Sequence, residues 1–170
     1  MDLDPLRRIG DQRQPTPSAR IRSVISQKAK YALRALLALA DVGVGESVLI
    51  SDIAERQRIP RKFLEQILLD LKNRGLLSSR RGKNGGYALL RDPNQITVGD
   101  VVRIVDGPLA PLPCLSRMAY RRCEDCDGNE DACRIRRVFA EAHRANTDVL
   151  DGTTLTQMAG QDISLAADAG

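Results

Sequence analysis

The sequence predicts a mostly α-helical fold with one two-stranded β-hairpin and a long helix near its C-terminal end. Apolar residues recur every three to four positions over most of the chain, which is the period of an amphipathic helix. Aromatic residues make up only 3% of the sequence, so the core must be built from aliphatic side chains that suit helix-on-helix packing. A glycine-rich run at 82–86, between two short extended segments, predicts the hairpin.

Three helices are predicted in the first half of the chain. The first runs from about Ile25 to Asp41. Ser51 is expected to cap a short second helix. After a tight turn, Pro60 marks the start of a third helix, which ends at Gly75. A short helix, a brief turn and a longer helix together predict a helix-turn-helix unit. The predicted buried face of the third helix consists of Phe63, Leu64, Ile67, Leu68 and Leu71.

The hairpin that follows the third helix is predicted to be a wing. Its strands are expected at 76–81 and 87–90, and the three glycines and one asparagine between them favour a sharp reversal of the chain. The wing is basic because it contains Arg80, Arg81 and Lys83. With the preceding helices, this hairpin makes the predicted unit a winged helix-turn-helix.

The second half of the chain contains a fourth helix, a proline-rich break and a long helix. Thr97 is expected to cap the fourth helix, with Asp100 as its capping-box partner. The long helix is predicted over about 131–150, and Thr154 with Gln157 predicts the capping box of a short last helix. The apolar stripe of the long helix consists of Ile135, Val138, Phe139, Ala142, Ala145 and Val149.

These patterns divide the chain into five parts. A disordered tail is predicted at 1–22, and a winged helix-turn-helix domain at 23–107. A cysteine-rich segment at 108–133 separates that domain from a dimerisation helix at 134–158. A second disordered tail is predicted at 159–170.

Charge is distributed unevenly along the chain. Residues 1–100 contain 18 Lys and Arg against 11 Asp and Glu, whereas the whole chain contains 26 against 22. A basic first part is the pattern expected of a phosphate-binding module. No apolar run approaches the length of a transmembrane helix, and the N-terminus lacks the apolar stretch of a secretory signal. We therefore expect a cytoplasmic protein with reduced thiols and no membrane association.

Polar residues of the helix-turn-helix and the wing are candidate DNA contacts. An α-helix fits the major groove, where Gln66 can pair with adenine and Glu65 can accept from cytosine. Arg61 and Lys62 can bind phosphates or guanine, and the basic wing can reach the minor groove or the backbone. The predicted contacts are Ser51, Arg61, Lys62, Glu65, Gln66, Arg80, Arg81 and Lys83.

Two other classes of function compete with DNA binding. A winged-helix module can bind another protein instead of DNA. An enzyme could use a cysteine nucleophile, but His143 is the only histidine available as its base. The glycine-rich run lies in a hairpin rather than before a helix, so it does not predict a phosphate-binding loop. We therefore expect no catalytic residues.

All four cysteines lie in one segment. Eight residues separate Cys114 from Cys123, two separate Cys123 from Cys126, and six separate Cys126 from Cys133. Thiolates this close together favour an iron–sulfur cluster or zinc, and a metal-free thiol–disulfide switch is a third alternative. Because the surrounding segment is rich in Asp, Glu and Arg, we do not expect buried, inert thiols.

The chain contains five segments, 26–36, 50–55, 63–68, 79–89 and 96–101, that together resemble bacterial transcriptional regulators of the IscR/NsrR type. The wing segment at 79–89 is very similar, and the resemblance extends from about residue 24 to 158. It implies a homodimer that is held by the long C-terminal helix and binds a pseudo-palindromic operator in double-stranded DNA. It also implies that Glu65, Gln66 and Arg81 contact or discriminate DNA.

In that family the cysteine segment often holds an iron–sulfur cluster, usually through three cysteines and one further ligand. Here the cysteine spacing is less even than in the best-known members, and His143 lies ten residues after Cys133. Lys28 and Lys30 occupy the part of the first helix that supplies a ligand in some members, but lysine is a poor ligand. This departure leaves ligation by all four cysteines, or by three of them and an unidentified group.

The sequence thus predicts a homodimeric, sequence-specific DNA-binding repressor whose operator affinity is controlled by a two-iron two-sulfur cluster on cysteine thiolates. A regulator that binds zinc or switches by thiol–disulfide exchange is the alternative. The cysteine segment joins the DNA-binding domain to the dimerisation helix, so filling or losing a cluster there would change the relative positions of the two recognition helices.

Overall fold

The computed structural model of the protein describes residues 25–82, 85–124 and 129–160. These residues form six α-helices and one two-stranded antiparallel sheet around an aliphatic core. The predicted tail at 1–22, most of the predicted tail at 159–170, and the candidate residues Lys83 and Cys126 lie outside the described residues.

Helix α1, Gln27–Ala40, runs through the middle of the core. Ser26 caps the helix, because its hydroxyl accepts a hydrogen bond from the backbone N–H of Ala29 at 3.0 Å. The face with small and aliphatic residues at three- and four-residue spacing is buried, as expected for an amphipathic helix. Its buried residues are Ala29, Ala32, Leu33, Ala35, Leu36 and Leu39.

Helices α2, Ile50–Gln57, and α3, Arg61–Asn73, form the predicted helix-turn-helix. Arg58, between them, has a φ of 50°, a left-handed conformation that makes the tight turn. Helix α3 ends before Gly75, whose φ of 72° lets its own N–H and that of Leu76 donate to carbonyls of the last turn. The buried face of α3 consists of Leu64, Ile67, Leu68 and Leu71.

The predicted Ser51 cap of α2 is wrong. Leu49 is the N-cap, and its carbonyl accepts from the N–H of Asp52 at 3.1 Å. The Ser51 hydroxyl donates instead to the Asp52 carboxylate at 3.0 Å. The helix starts early because Val48 is bridged to Tyr87 by two backbone hydrogen bonds of 2.9 Å, which fix the end of the extended segment.

Phe63 lies at the edge of the buried face of α3 rather than within it, which differs from the prediction. Its side chain is 41% exposed, and its ring meets the ring of Tyr31 edge-on with centroids 5.8 Å apart. Phe63 precedes the fully buried Leu64 by one position, so helical geometry turns it about 100° away from that residue.

The wing consists of strands β1, Leu77–Arg80, and β2, Gly86–Leu89. They pair antiparallel, with the first residue of β1 opposite the last residue of β2. Gly86 has a φ of 138°, and a Cβ atom there would lie 2.3 Å from the carbonyl oxygen of Val48. Glycine is therefore required where the wing is bridged to the segment before α2.

Helix α4, Val98–Asp106, packs against α1. The predicted capping box at its start is confirmed, since the Thr97 hydroxyl accepts from the N–H of Asp100 at 3.0 Å and the Asp100 carboxylate accepts from the N–H of Thr97. Helix α6, Leu155–Ala159, begins at the second predicted capping box. Leu155 is fully buried in the core, so this last helix packs with the winged helix-turn-helix domain, which differs from its predicted assignment to the dimerisation helix at 134–158.

Helix α5, Arg134–Gly152, starts about three residues later than predicted, because a short 3-10 turn at Glu130–Ala132 precedes it. None of the 19 residues of α5, all of which are described, is buried. Its apolar stripe is largely open to solvent, with exposed fractions of 64% for Ile135, 68% for Val138, 43% for Phe139 and 50% for Val149.

The described elements match the predicted fold class, a mostly α winged helix-turn-helix followed by a long helix. Across the described ranges, no helix combines the length and the apolar character needed to span a bilayer.

Candidate nucleic-acid interface and cysteine segment

The outer face of α3 carries exposed polar side chains. Arg61, Lys62, Glu65 and Gln66 are all exposed, on a helix whose leucines and isoleucine face the core. Arg61 Nε lies 3.3 Å from Glu65 Oε1, and these side chains are 64% and 54% exposed. An ion pair this exposed contributes at most about 1 kcal/mol, so both groups can exchange it for contacts with a ligand.

The Gln66 side chain is held by a chain of hydrogen bonds. Its amide nitrogen donates to Oδ1 of Asp70, one helical turn later, at 3.0 Å. The other carboxylate oxygen of Asp70 accepts from Nζ of Lys28, on α1, at 2.7 Å. The hydrogen bond from Lys28 is the main reason why the pKa of Asp70 lies below its ordinary value of 3.8. Asp70 is therefore ionised at neutral pH.

Sequence reasoning missed this chain of contacts. Gln66 and Asp70 have the four-residue spacing of neighbouring side chains on a helix, which is a signal that could have suggested their pairing. Lys28 precedes Asp70 by 42 residues, and nothing in the local sequence indicates that contact.

The remaining predicted contacts lie on elements next to α3. Helix α2 and strand β1 both pack against α3. Ser51 is exposed in the first turn of α2, and Arg80 and Arg81 are exposed where β1 enters the wing loop. Every described member of the predicted set is thus at the surface of the helix-turn-helix or the wing, while Lys83 lies outside the described residues.

The three described cysteines lie in different environments. Cys114, in a 3-10 turn at Pro113–Leu115, is only 7% exposed, which contradicts the expectation of an unburied thiol. The cause is packing of this turn against α5. Cys123 is partly exposed. Cys133 is the N-cap of α5, and its sulfur accepts a hydrogen bond from the N–H of Arg136 at 3.4 Å.

Glu130 connects Tyr120, three residues before Cys123, with the start of α5. The Tyr120 hydroxyl donates to Glu130 Oε1 at 2.7 Å, and Arg136 Nε lies 3.5 Å from Glu130 Oε2. The hydrogen bond to Glu130 raises the pKa of Tyr120 above its ordinary value. These contacts hold the segment around Tyr120 against the start of α5.

The thiols have the chemistry that iron–sulfur clusters and zinc require, but the described thiols are not gathered into a ligand set. Within residues 25–82, 85–124 and 129–160, no three His, Cys, Asp or Glu side chains are placed to hold a metal. The cysteine content therefore fits an iron–sulfur cluster or zinc, and Cys114, Cys123 and Cys133 would have to come closer together than they are here to ligate one.

An exposed polar recognition helix, a basic wing and the helix-turn-helix fold define a winged-helix DNA-binding regulator of transcription. The chain belongs to the Rrf2 family, described as "Iron-dependent Transcriptional regulator", which matches residues 25–161. This match confirms the resemblance to IscR/NsrR-type regulators. Similar proteins are transcriptional regulators, which also confirms the expectation that the protein is not an enzyme.

Three similar proteins illustrate the family. A protein of Rhodobacter capsulatus named as an rrf2-like HTH-type transcriptional regulator is 50% identical over 138 residues, covering 79% of this chain and 91% of that protein. The structure of CymR, the global cysteine regulator of Bacillus subtilis, has a TM-score of 0.65 at 34% identity and covers 80% of this chain and 95% of its own. The structure of IscR from T. potens has a TM-score of 0.61 at 29% identity and covers 86% of this chain and 93% of its own.

Proposed function

We propose that this DNA-binding regulator acts as a homodimer that places one α3 helix in the major groove at each half of a pseudo-palindromic operator. The observation that carries the proposal is the exposed row of Arg61, Lys62, Glu65 and Gln66 on the helix that the fold offers to DNA. Such a row supplies both base-reading and phosphate-binding groups.

Each candidate contact has a role that follows from its chemistry. Gln66 reads adenine and Glu65 accepts from cytosine, whereas Arg61 and Lys62 bind phosphate or guanine. Arg81 and its neighbours in the wing bind the backbone or the adjacent minor groove. Contacts to bases set the sequence preference, and contacts to phosphates set most of the affinity.

Helix α5 supports the homodimer. A helix of 19 residues is about 28 Å long, and none of the residues of α5 is fully buried although the helix contacts α4. The exposed stripe that includes Ile135, Val138 and Phe139 needs a partner surface, and the same stripe of a second copy supplies one.

Control of DNA binding through the cysteine segment is the second part of the proposal. The four cysteines lie between the DNA-binding domain and α5, and the family is described as iron-dependent. A two-iron two-sulfur cluster on these thiolates is our first candidate for the controlling group. Zinc and thiol–disulfide exchange are the alternatives. The chain is similar to both CymR and IscR, so these similarities do not decide between the candidate controlling groups.

A gel-shift assay with fragments of genomic DNA tests the interface. We expect Gln66→Ala and Arg81→Ala to weaken binding to the selected fragment. The matched control is Arg144→Ala on α5, which removes an exposed arginine that pairs with Glu141 one turn earlier on the same helix. Equal affinity of Gln66→Ala, Arg81→Ala and the control would mean that α3 and the wing do not form the interface.

Anaerobic purification followed by iron, sulfide and zinc analysis tests the controlling group. Coloured protein with equal amounts of iron and sulfide, both lost in Cys123→Ser, would support the cluster. Colourless protein with stoichiometric zinc would overturn it in favour of the zinc alternative.

A further inference from the structure

We propose that Asp70 is a positioning residue that fixes the orientation of the Gln66 amide, and that Lys28 holds Asp70 in place from another helix. This inference rests on the proposed function, in which Gln66 reads a base. It adds a determinant of operator preference that does not itself contact a base.

The first step of the argument is the chemistry of the carboxylate. An ionised carboxylate only accepts hydrogen bonds, so the Gln66 nitrogen, and not its oxygen, must face Asp70 Oδ1 at 3.0 Å. One N–H of the amide is used in this contact. The amide oxygen and the second N–H remain, and together they form the acceptor–donor pair that matches the N6 donor and N7 acceptor of adenine.

The second step is the way in which Asp70 is itself held. Its two oxygens have separate partners, since Oδ1 accepts from Gln66 and Oδ2 accepts from Lys28 at 2.7 Å. The side chains of Lys28 and Asp70 are only 30% and 29% exposed. Rotation of the carboxylate away from Gln66 would therefore break both contacts at once.

The third step is electrostatic. Asp70 places a negative charge on the helix that approaches a chain of phosphates, which by itself opposes DNA binding. The Lys28 ammonium group neutralises that charge locally and helps keep the carboxylate ionised. The pair can thus orient Gln66 without adding net negative charge to the interface.

A purely structural role for Asp70 makes a different prediction. A glutamine–aspartate pair at four-residue spacing also stabilises a helix slightly, and its loss would then weaken binding to all DNA sequences alike. Positioning of Gln66 predicts instead that the preference among bases changes. The two roles are separated by measuring preference as well as affinity.

The experiment uses the full-length protein and the genomic fragment selected by gel shift, with each base pair of the site varied in turn. A bidentate contact discriminates by roughly 5- to 150-fold against the wrong base. We expect Gln66→Ala to remove such a preference at one position in each half-site. Asp70→Asn, which retains the shape but lets the glutamine amide flip, should reduce the same preference at least several-fold.

The double variant and a matched control complete the DNA measurement. Asp70→Asn should have no further effect on preference in the Gln66→Ala background. Glu141→Gln removes a carboxylate from an equally local pair on α5 and should leave the preference unchanged. An Asp70→Asn variant that binds all sequences more weakly but keeps the wild-type preference would overturn the proposal.

A measurement without DNA separates failure of this proposal from failure of the proposed function. The side-chain amide of Gln66 should be rigid by ¹⁵N relaxation in the wild-type protein and mobile in Asp70→Asn and in Lys28→Met. If it is equally mobile in all three, positioning is wrong even when Gln66 reads DNA. If it is rigid only in the wild type but Gln66→Ala changes no preference, the reading role of Gln66 fails, and the inference fails with it.

Discussion

Arg103 and Asp151 form a two-pronged ion pair between α4 and α5. Nη1 of Arg103 lies 2.6 Å from Oδ1 of Asp151, and Nη2 of Arg103 lies 2.7 Å from Oδ2 of Asp151. The hydrogen bonds that Arg103 donates to Asp151 are the main reason why the pKa of Arg103 lies above its ordinary value. Gly99 makes room for the pair, since a Cβ atom there would lie 1.9 Å from Asp151 Oδ1. The C-terminal end of α5 is thereby fixed to the DNA-binding domain.

Substitution of Gly99 should loosen this joint without greatly changing overall stability. In Gly99→Ala the new methyl group displaces the Asp151 carboxylate. Loss of this partly exposed ion pair should lower the free energy of unfolding by roughly 0.2–1 kcal/mol. Replacing a helical glycine by alanine raises the free energy of unfolding by about 0.5–1 kcal/mol, so this gain nearly cancels the loss of the ion pair. Hydrogen exchange should therefore become faster at the end of α5 while Tm changes by only a few degrees. Gly152→Ala, whose methyl group would meet no atom of the described residues within 4 Å, is the control. Equal exchange in both variants would contradict the proposed joint.

A charge in the apolar stripe of α5 should dissociate the dimer. Val138 is 68% exposed in one protomer, and Val138→Asp would bury an unpaired carboxylate if two stripes pack together. Light scattering after size exclusion should show a monomer, and operator affinity should fall by at least tenfold. Arg137→Asp introduces the same group at the next position, which helical geometry turns away from the stripe. A dimer that survives Val138→Asp would place the interface elsewhere.

Acid should remove the contribution of the Lys28–Asp70 pair. The folded-state pKa of Asp70 is lowered, chiefly by the hydrogen bond from Lys28. The pair therefore stabilises the fold above the ordinary aspartate pKa of 3.8, and this stabilisation is lost as pH falls through the lower folded value. Carboxyl ¹³C titration should show a midpoint below 3.8 that moves up in Lys28→Met. An unchanged midpoint in that variant would show that Lys28 does not cause the shift.

The cysteines should differ in reactivity in metal-free, reduced protein. Cys114 is 7% exposed, whereas Cys123 is partly exposed, so an alkylating reagent should modify Cys123 several-fold faster. Mass-spectrometric mapping over time measures the two rates. Equal rates would indicate that the turn at Pro113–Leu115 opens readily, and that Cys114 is more available for ligation than its burial suggests.

Substitutions of Cys133 can separate helix capping from thiol chemistry. Its sulfur caps α5, and a serine hydroxyl is a preferred capping acceptor. We expect Cys133→Ser to keep wild-type helicity and Tm, and Cys133→Ala to lose about 0.5–2 kcal/mol of stability. Circular dichroism with thermal unfolding measures both. If the two variants are equally stable, the cap contributes nothing, and either can be used to test metal binding.

Features set by a few neighbouring residues were predictable from the sequence. The capping boxes that start at Thr97 and Thr154 are both present, because a cap is a local hydrogen-bond pattern. The helix-turn-helix and the wing follow from apolar period and glycine placement. The family resemblance reinforced these predictions and pointed to α3 and the wing as the DNA-binding surface.

Features set by distant contacts were not predictable in the same way. The start of α2 depends on the bridge between Val48 and Tyr87, which overrides the capping preference of Ser51. Burial of Cys114 depends on packing against α5, although the surrounding segment is polar. The contact between Lys28 and Asp70 requires α1 and α3 to be docked first. In each case the partner lies far away in sequence.

The position of Asp70 one turn after Gln66 limits how this protein can be retargeted to new binding sites. Arginine is the usual choice for recognising guanine, but in Gln66→Arg the guanidinium group would face an acceptor carboxylate within one helical turn. That carboxylate would compete with guanine for the same donors. A guanine-reading design would therefore have to replace Asp70 together with Gln66, and then provide Lys28 with a new partner.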